Sequence, residues 1–262
     1  MIYNQMHPSR SILFELILLL PFIVILLSYI VAAVLSSHCH TRWPLYRTVF
    51  WALGVLCAAS TIVGPIANHA LMDFGVHMLG HLLLGMLAPL LMALAAPMTL
   101  IMRTLDVGSA RCLSRVLRSR PVSILSNPII TSFVNIGGLW VLYSTDLYMA
   151  MTHNILLHLI VHIHVFVAGY LFTISLIYID PTPHRLSFVY RAIVLLISLA
   201  AHSILSKYIY AHPPAGVPIS QAEEGGMLMY YGGDAIEVVV ISILCFQWFK
   251  ATRPKEPLAI NP

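Results

Sequence analysis

The sequence predicts a bundle of seven membrane-crossing helices, and three observations carry that prediction. Hydrophobic residues fill 59% of the 262 positions and charged residues only 9%, against about a quarter charged in an ordinary soluble domain. Seven apolar runs approach or exceed the length of about 20 residues that crosses a bilayer. Lysine and arginine gather in alternate connections between those runs, the asymmetry that sets orientation. No interval between runs has room for a soluble domain, so residues 1–262 are read as one integral membrane domain.

The first run, about 11–35, contains Glu15 and Pro21. It lacks the basic start and small-residue cleavage site of a signal peptide and is read as a retained helix. The second covers about 46–67. The third covers 72–102, with Pro89 and Pro97 expected to kink or end it. The fourth covers about 128–143, the fifth 152–179, the sixth 188–211 and the seventh 227–249.

Arg42 and Arg47 follow the first run. Arg103, Arg111, Arg115, Arg118 and Arg120 follow the third, Arg185 and Arg191 the fifth, and Lys250, Arg253 and Lys255 the seventh. With seven crossings all of these share one side, and Arg10 and Lys207 fall on the other. The N-terminus is therefore expected outside and the C-terminus in the cytoplasm. Between 103 and 120, the arginines at 111, 115 and 118 share a helical face, with Leu113, Val116 and Leu117 between them. This reads as an interfacial helix on anionic lipid, or else as a partner-docking surface. No nucleic-acid partner is expected, because aromatic interleaving and DNA-binding motifs are both missing. Cys39, Cys57, Cys112 and Cys245 suggest no disulfide framework.

The third run carries most of a polar row, with His69 just before it. His69, Asp73, His77 and His81 stand four residues apart, and each such step turns a helix by about 40°. Polar groups in hydrocarbon are costly and mark function by default. The fifth run adds His153, His158 and His162, the sixth His202, and the seventh Met227, Met229, Asp234 and Glu237. At 1.5 Å per residue these fall in one layer of the outer half of the membrane, together with Glu15.

An i, i+4 histidine pair aims two imidazoles at one point, and two such pairs supply four nitrogens. Thioether with imidazole favours copper, above all Cu(I). Imidazole with carboxylate also suits zinc or iron, and one histidine from each of two helices can ligate haem. Met227 and Met229 are expected near the mouth. The acidic residues are expected to ligate, to orient imidazoles or to carry protons. His164 reads as a packing residue, His69 and His153 as solvated or ligating, and His38-Cys39-His40 as a loop. The glycines at 225, 226, 232 and 233 read as helix-packing positions. No nucleophile elbow or zincin motif is present.

His77-Met78-Leu79-Gly80-His81-Leu82-Leu83-Leu84, then Ala88-Pro89-Leu90-Leu91 and Ala96-Pro97-Met98-Thr99-Leu100, resembles the signature H-M-x-x-H-L-L-L, A-P-x-L-L, G-x-P-x-T-L of the CtaG family of cytochrome c oxidase assembly proteins. Trp140 to Tyr148 looks like that family's fourth-helix segment, and His158 and His162 match its H-x-x-x-H. Gly225-Gly226-Met227-Leu228-Met229-Tyr230 is similar to its G-G-x-x-M-W. The chain departs from the pattern at Tyr143, where the family often has His, at Val161, where it has Glu, and at Gln221-Ala222, where it has Asp-Gln.

The resemblance implies a seven-helix bundle in a bacterial inner membrane, with its outer ends in the periplasm or outside the cell. It implies a role in maturing the copper centres of a terminal oxidase, with His77, His81, His158, His162 and Met229 as the matching positions. The expectation is a metallochaperone-like assembly factor that catalyses no reaction. It would take copper in this layer, from another copper chaperone or directly, and hand it to an oxidase subunit. The alternatives are a membrane enzyme with haem or metal on the same histidines, and a metal or proton transporter.

Overall fold

The computed structural model describes residues 12–254, so Arg10, Ser11 and Lys255 of the topology reading lie outside the described residues. Thirteen α-helices follow one another: α1 (Ile12–Cys39), α2 (Leu45–Ser60), α3 (Pro65–His69), α4 (Phe74–Leu82), α5 (Ala88–Leu94), α6 (Pro97–Thr104), α7 (Val107–Leu117), α8 (Arg120–Leu125), α9 (Pro128–Ser144), α10 (Leu147–His153), α11 (Ile155–Leu176), α12 (Phe188–Ala211) and α13 (Ile219–Thr252). A π-helical turn, Leu83–Leu87, joins α4 to α5.

Among the described residues, six stretches are long and apolar enough to cross a membrane: Glu15–Cys39, Leu45–His69, Phe74–Leu94, Ile155–Leu176, Phe188–Ala211 and Ile219–Thr252. The apolar α9 is shorter, at 17 residues. The molecule is thus an all-α, multi-pass membrane bundle.

The third of these stretches is the axis of the bundle. Its apolar window is 61% buried, whereas the other five lie between 11% and 33%. α13 lies along α4, while α2 and α11 lie along α5. α9 packs against α11 and α12, and α12 against α13. Small side chains on the axis, among them Gly80, Gly85, Ala88 and Ala93, let these neighbours come close. The outer surface is apolar instead: Leu16, Ile17, Leu20 and Val24 of α1 are all more than half exposed, as a lipid-facing helix requires.

Two breaks and one earlier start depart from the runs as read. The third run does not continue to residue 102. Ala96 adopts a left-handed conformation (φ 52°) and α6 starts afresh at Pro97, since a residue before proline is pushed out of the helical region. Both sides of the break are capped. Tyr29 Oη donates to the Ala95 carbonyl at 2.7 Å. The Asp180 carboxylate accepts from the Met98 and Thr99 amides at 3.0 and 2.7 Å, satisfying orphan donors at a positive helix end. Pro89 ends nothing, because it sits in the first turn of α5 directly after the π turn.

The fifth run breaks at Asn154. Its side chain accepts from the Leu156 and Leu157 amides and so starts α11, leaving His153 at the end of α10. The last run begins at Ile219 rather than at 227.

Arg191, counted among the charges that follow the fifth run, is buried in the first turn of α12. Its guanidinium lies over Tyr178 and Phe188 and donates to the Leu176 carbonyl at the end of α11, where a cation complements the helix terminus.

α7 and α8 bury no residue, and Arg111, Arg115, Arg118 and Arg120 are all exposed. Asp106 caps α7 through the Ser109 amide at 3.0 Å, and hydrogen bonding to Ser109 holds its carboxyl below the usual range.

Candidate metal centre

Two small cavities, each apolar-walled with polar side chains set into it, lie in series along the axial helix. The first, ≈ 30 Å³, is lined by His77, His81 and Gly80 of α4, by His158 and His162 of α11, by Tyr143 of α9 and by Thr61 beyond α2, with aliphatic side chains filling the rest. The i, i+4 spacing puts both members of each histidine pair on one helix face, and here both faces border the same space.

His77 is buried, and its Nε2 lies 3.1 Å from Tyr143 Oη. Its ring also meets Tyr148 edge-on at 5.0 Å. His81 is buried, and its Nε2 has no hydrogen-bond partner. His158 and His162 are half-buried and stack with centroids 4.1 Å apart. His162 Nδ1 lies 3.0 Å from the His158 carbonyl. Donation there leaves Nε2 as the lone-pair nitrogen, the arrangement that prepares an imidazole for a metal.

The second cavity, ≈ 40 Å³, lies further along the axial helix, beside Gly85 and Met86 of the π turn. Its lining includes His81 again, with Asn135, Thr173, Ser198, His202 and Glu237. His202 Nδ1 and Glu237 Oε1 are 3.3 Å apart, too poorly aligned for a hydrogen bond. The His81 and His202 rings stand 6.4 Å apart. Gly233 makes the room for His202, since a Cβ there would sit 2.6 Å from its ring. Among the described residues, no three His, Cys, Asp or Glu side chains are gathered closely enough to hold an ion as they stand. The donors surround the cavities without closing on their centres.

The other residues singled out from the sequence lie elsewhere. The four-residue row from His69 does not share a helix, because α3 ends at His69 and Asp73 is the N-cap of α4. His69 is exposed, its Nδ1 2.8 Å from the Pro65 carbonyl. Asp73 accepts from the Val76 amide at 2.9 Å, which is a capping role. Gln221, at a departure from the family pattern, accepts from the Phe74 amide beside it. His153 is exposed, with Nδ1 2.8 Å from the Met149 carbonyl.

Met229 is not at a mouth. It is fully buried among Phe74, Met78, Tyr143 and Leu205, because α13 runs two further turns before reaching it. Met227 is 45% exposed. Asp234 is half-buried, and neither it nor Glu15 lines either of these two cavities. His164 is exposed and lies against Gly138.

Asn135, Thr61, Thr173 and Ser198 were not singled out from the sequence. Each is a lone small polar residue in an apolar run, and such residues more often bond their own helix, as Ser198 also does to the Val194 carbonyl.

Comparison with known proteins adds a family. The model described as cytochrome c oxidase caa3 assembly factor (Caa3_CtaG) matches residues 27–251. An uncharacterized protein of Mycobacterium leprae is 27% identical over 188 residues, 69% of this chain and 28% of that protein. Uncharacterized proteins of Mycobacterium bovis and Mycobacterium tuberculosis are each 30% identical over 168 residues, 62% of this chain and 25% of theirs. The chain thus spans about a quarter of the length of these curated relatives. No solved structure matches it.

Proposed function

We propose, starting from a chain that belongs to the cytochrome c oxidase caa3 assembly factor family, that it carries copper as cargo in the outer half of a bacterial inner membrane and passes it to a subunit of a terminal oxidase. The observation that supports this reading best is the first cavity, bordered by the histidine pairs of both α4 and α11. The donors fit the cargo: several imidazoles, one with an orphaned buried nitrogen (His81 Nε2) and one with its other nitrogen turned to a carbonyl (His162), suit a borderline-to-soft ion. His77, His81, His158 and His162 hold it. A carrier has to let go, and a ring of donors not yet closed on a centre suits release better than a finished tetrahedral site. Met229, packed in the core, supports the walls in this reading.

The experiment is a metal and visible-spectrum measurement on protein purified from copper-supplied cells. Copper above background with no Soret band is expected. A Soret band with split reduced bands would instead assign the histidines to haem, and a metal-free protein after copper supply would end the reading.

The same reading has α9 complete a set of seven crossings, with the N-terminus outside and the arginine-rich α7 and α8 on the cytoplasmic surface. A 17-residue helix is at the short limit for a crossing. Cys39 and Cys112 are exposed and fall on the cytoplasmic side. A membrane-impermeant maleimide should therefore leave both unlabelled in intact cells and label them in opened membranes. Labelling of either in intact cells would overturn the orientation.

A further inference from the structure

Another cavity lies at the end of the bundle away from the histidine pairs. α11 carries His162 to the first cavity and Tyr170, Leu171 and Ile174 to this one, about 12–18 Å further along the helix at 1.5 Å of rise per residue. Its volume is ≈ 330 Å³, against ≈ 30 and ≈ 40 Å³ for the two described above. That brings it into the range of about 300–1,000 Å³ typical of small-molecule sites. Its walls are mostly apolar, and α7 and α8 supply one of them through Leu117, Val122 and Leu125. Most of its polar groups already have partners. The Asp180 carboxylate accepts from the Met98 and Thr99 amides, and the Ser126 and Thr182 hydroxyls donate to the Val122 and Asp180 carbonyls. His184 Nε2 is buried and has none. An occupant therefore meets apolar walls and one open nitrogen.

The outer side of the same strap is of a different kind. Val107, Val116 and Ile124 are more than half exposed, interleaved with the exposed Arg111, Arg115, Arg118 and Arg120. Apolar and basic residues exposed together place a helix at the boundary of bilayer and water. Arg118, Arg120 and Arg185, all exposed, stand within two residues of the lining residues Leu117, Val122 and His184. Among the described residues, none of these five arginines makes an ion pair. The carboxylates of the two segments are engaged as helix caps, Asp106 on the Ser109 amide and Asp180 on those of Met98 and Thr99. The rim of an apolar cavity thus carries guanidinium groups without a countercharge, and guanidinium is the side chain best matched to phosphate.

We infer that this cavity is a binding site for an anionic phospholipid. One acyl chain fills the space beside Ile174. Arg118, Arg120 and Arg185 hold the phosphate, and His184 Nε2 donates to an ester or phosphate oxygen. The chain enters from the bilayer without crossing water. A lipid so placed ties α7 and α8, which bury no residue of their own, to the end of α11. The site shares no residue with the four-histidine cavity and stands apart from the copper-carrying reading.

Native mass spectrometry of the full chain, released from detergent micelles that carry equal amounts of dioleoyl phosphatidylglycerol and dioleoyl phosphatidylcholine, tests this. The wild type is expected to keep one phosphatidylglycerol in preference to phosphatidylcholine. Arg118→Gln with Arg120→Gln and Arg185→Gln changes only exposed side chains. It is expected to weaken retention of phosphatidylglycerol by about fivefold for each arginine removed, toward the level of phosphatidylcholine. Ile174→Trp fills the cavity from α11, and Thr182→Trp fills it from the connection that follows. Each is expected to lower phosphatidylglycerol retention with wild-type circular dichroism. Equal retention of the two lipids by the wild type would overturn the inference, as would a triple glutamine variant that keeps the wild-type preference. Full retention in both tryptophan variants would place the acyl chain elsewhere and overturn it too. A wild type that flies without lipid, or as a lipid-free dimer that gives the cavity to a second copy, would do the same.

Discussion

Replacing His77 and His81 together by alanine is expected to reduce copper in the purified protein to background. Both side chains are buried on the axial helix of the bundle, and both border the first cavity. His81 also borders the second, so the double variant removes two donors from one space and one from the other. What remains in the first is the α11 pair alone, whose rings are stacked on each other. Truncation of buried side chains carries its own cost, about 2–5 kcal/mol for a large-to-small change in a packed core. The comparison therefore needs His77→Asn with His81→Asn, which keeps polar bulk and lacks the imidazole. Both variants should lose copper by elemental analysis, and the asparagine variant should keep the wild-type melting profile. Full copper retention in the asparagine variant would exclude these two histidines as ligands.

Much of this arrangement was legible in the residues. The sixth run, read as 188–211, is α12 (Phe188–Ala211) to the residue, because Ser187 and the apolar length are both local signals. The histidine pairs at 77/81 and 158/162 were legible for the same reason, since a four-residue spacing inside one helix fixes their common face.

Reading failed where the helix itself stopped. His69 and Asp73 continue the spacing but not the helix, and a side chain that caps the next helix cannot share its face. His153 was lost to the same competition, with Asn154 offering its oxygen to the amides that follow. Met229 was misplaced because depth was counted from 227, whereas α13 starts at Ile219. Nothing in the hydropathy of a Gly-Gly segment says whether a helix passes through it. The division of the polar layer into two cavities was also out of reach, because it depends on which side chains meet across helices distant in sequence. The π turn at Leu83–Leu87 begins two residues after His81, and such turns recur beside functional sites, but no residue pattern announced it.

Among the described glycines, the one with the least room for a side chain carries the second large effect: Gly169→Val is expected to destabilise the protein and to lower copper binding together. A Cβ at Gly169 of α11 would lie 2.0 Å from the carbonyl oxygen of Gly85, in the π turn, and 3.3 Å from Pro89 Cγ. The first of these is backbone, which cannot rotate away as a side-chain tip can. Over-packing a tight contact costs about 1–3 kcal/mol and occasionally more, and a backbone obstacle puts this site at the high end. Relief requires α11 to move off the axial helix. That motion carries His158 and His162 away from His77 and His81, so the metal centre loosens with the fold. Gly137 of α9 is the matched control, since nothing lies within 4 Å of a Cβ placed there. Gly137→Ala should leave stability unchanged or raise it, by up to about 1 kcal/mol of helix propensity, with copper content untouched. Thermal unfolding in detergent and metal analysis on the same preparations read both effects. A Gly169→Val protein that melts like the wild type and carries full copper would show that the contact between α11 and the π turn does not hold the two histidine pairs to a common space.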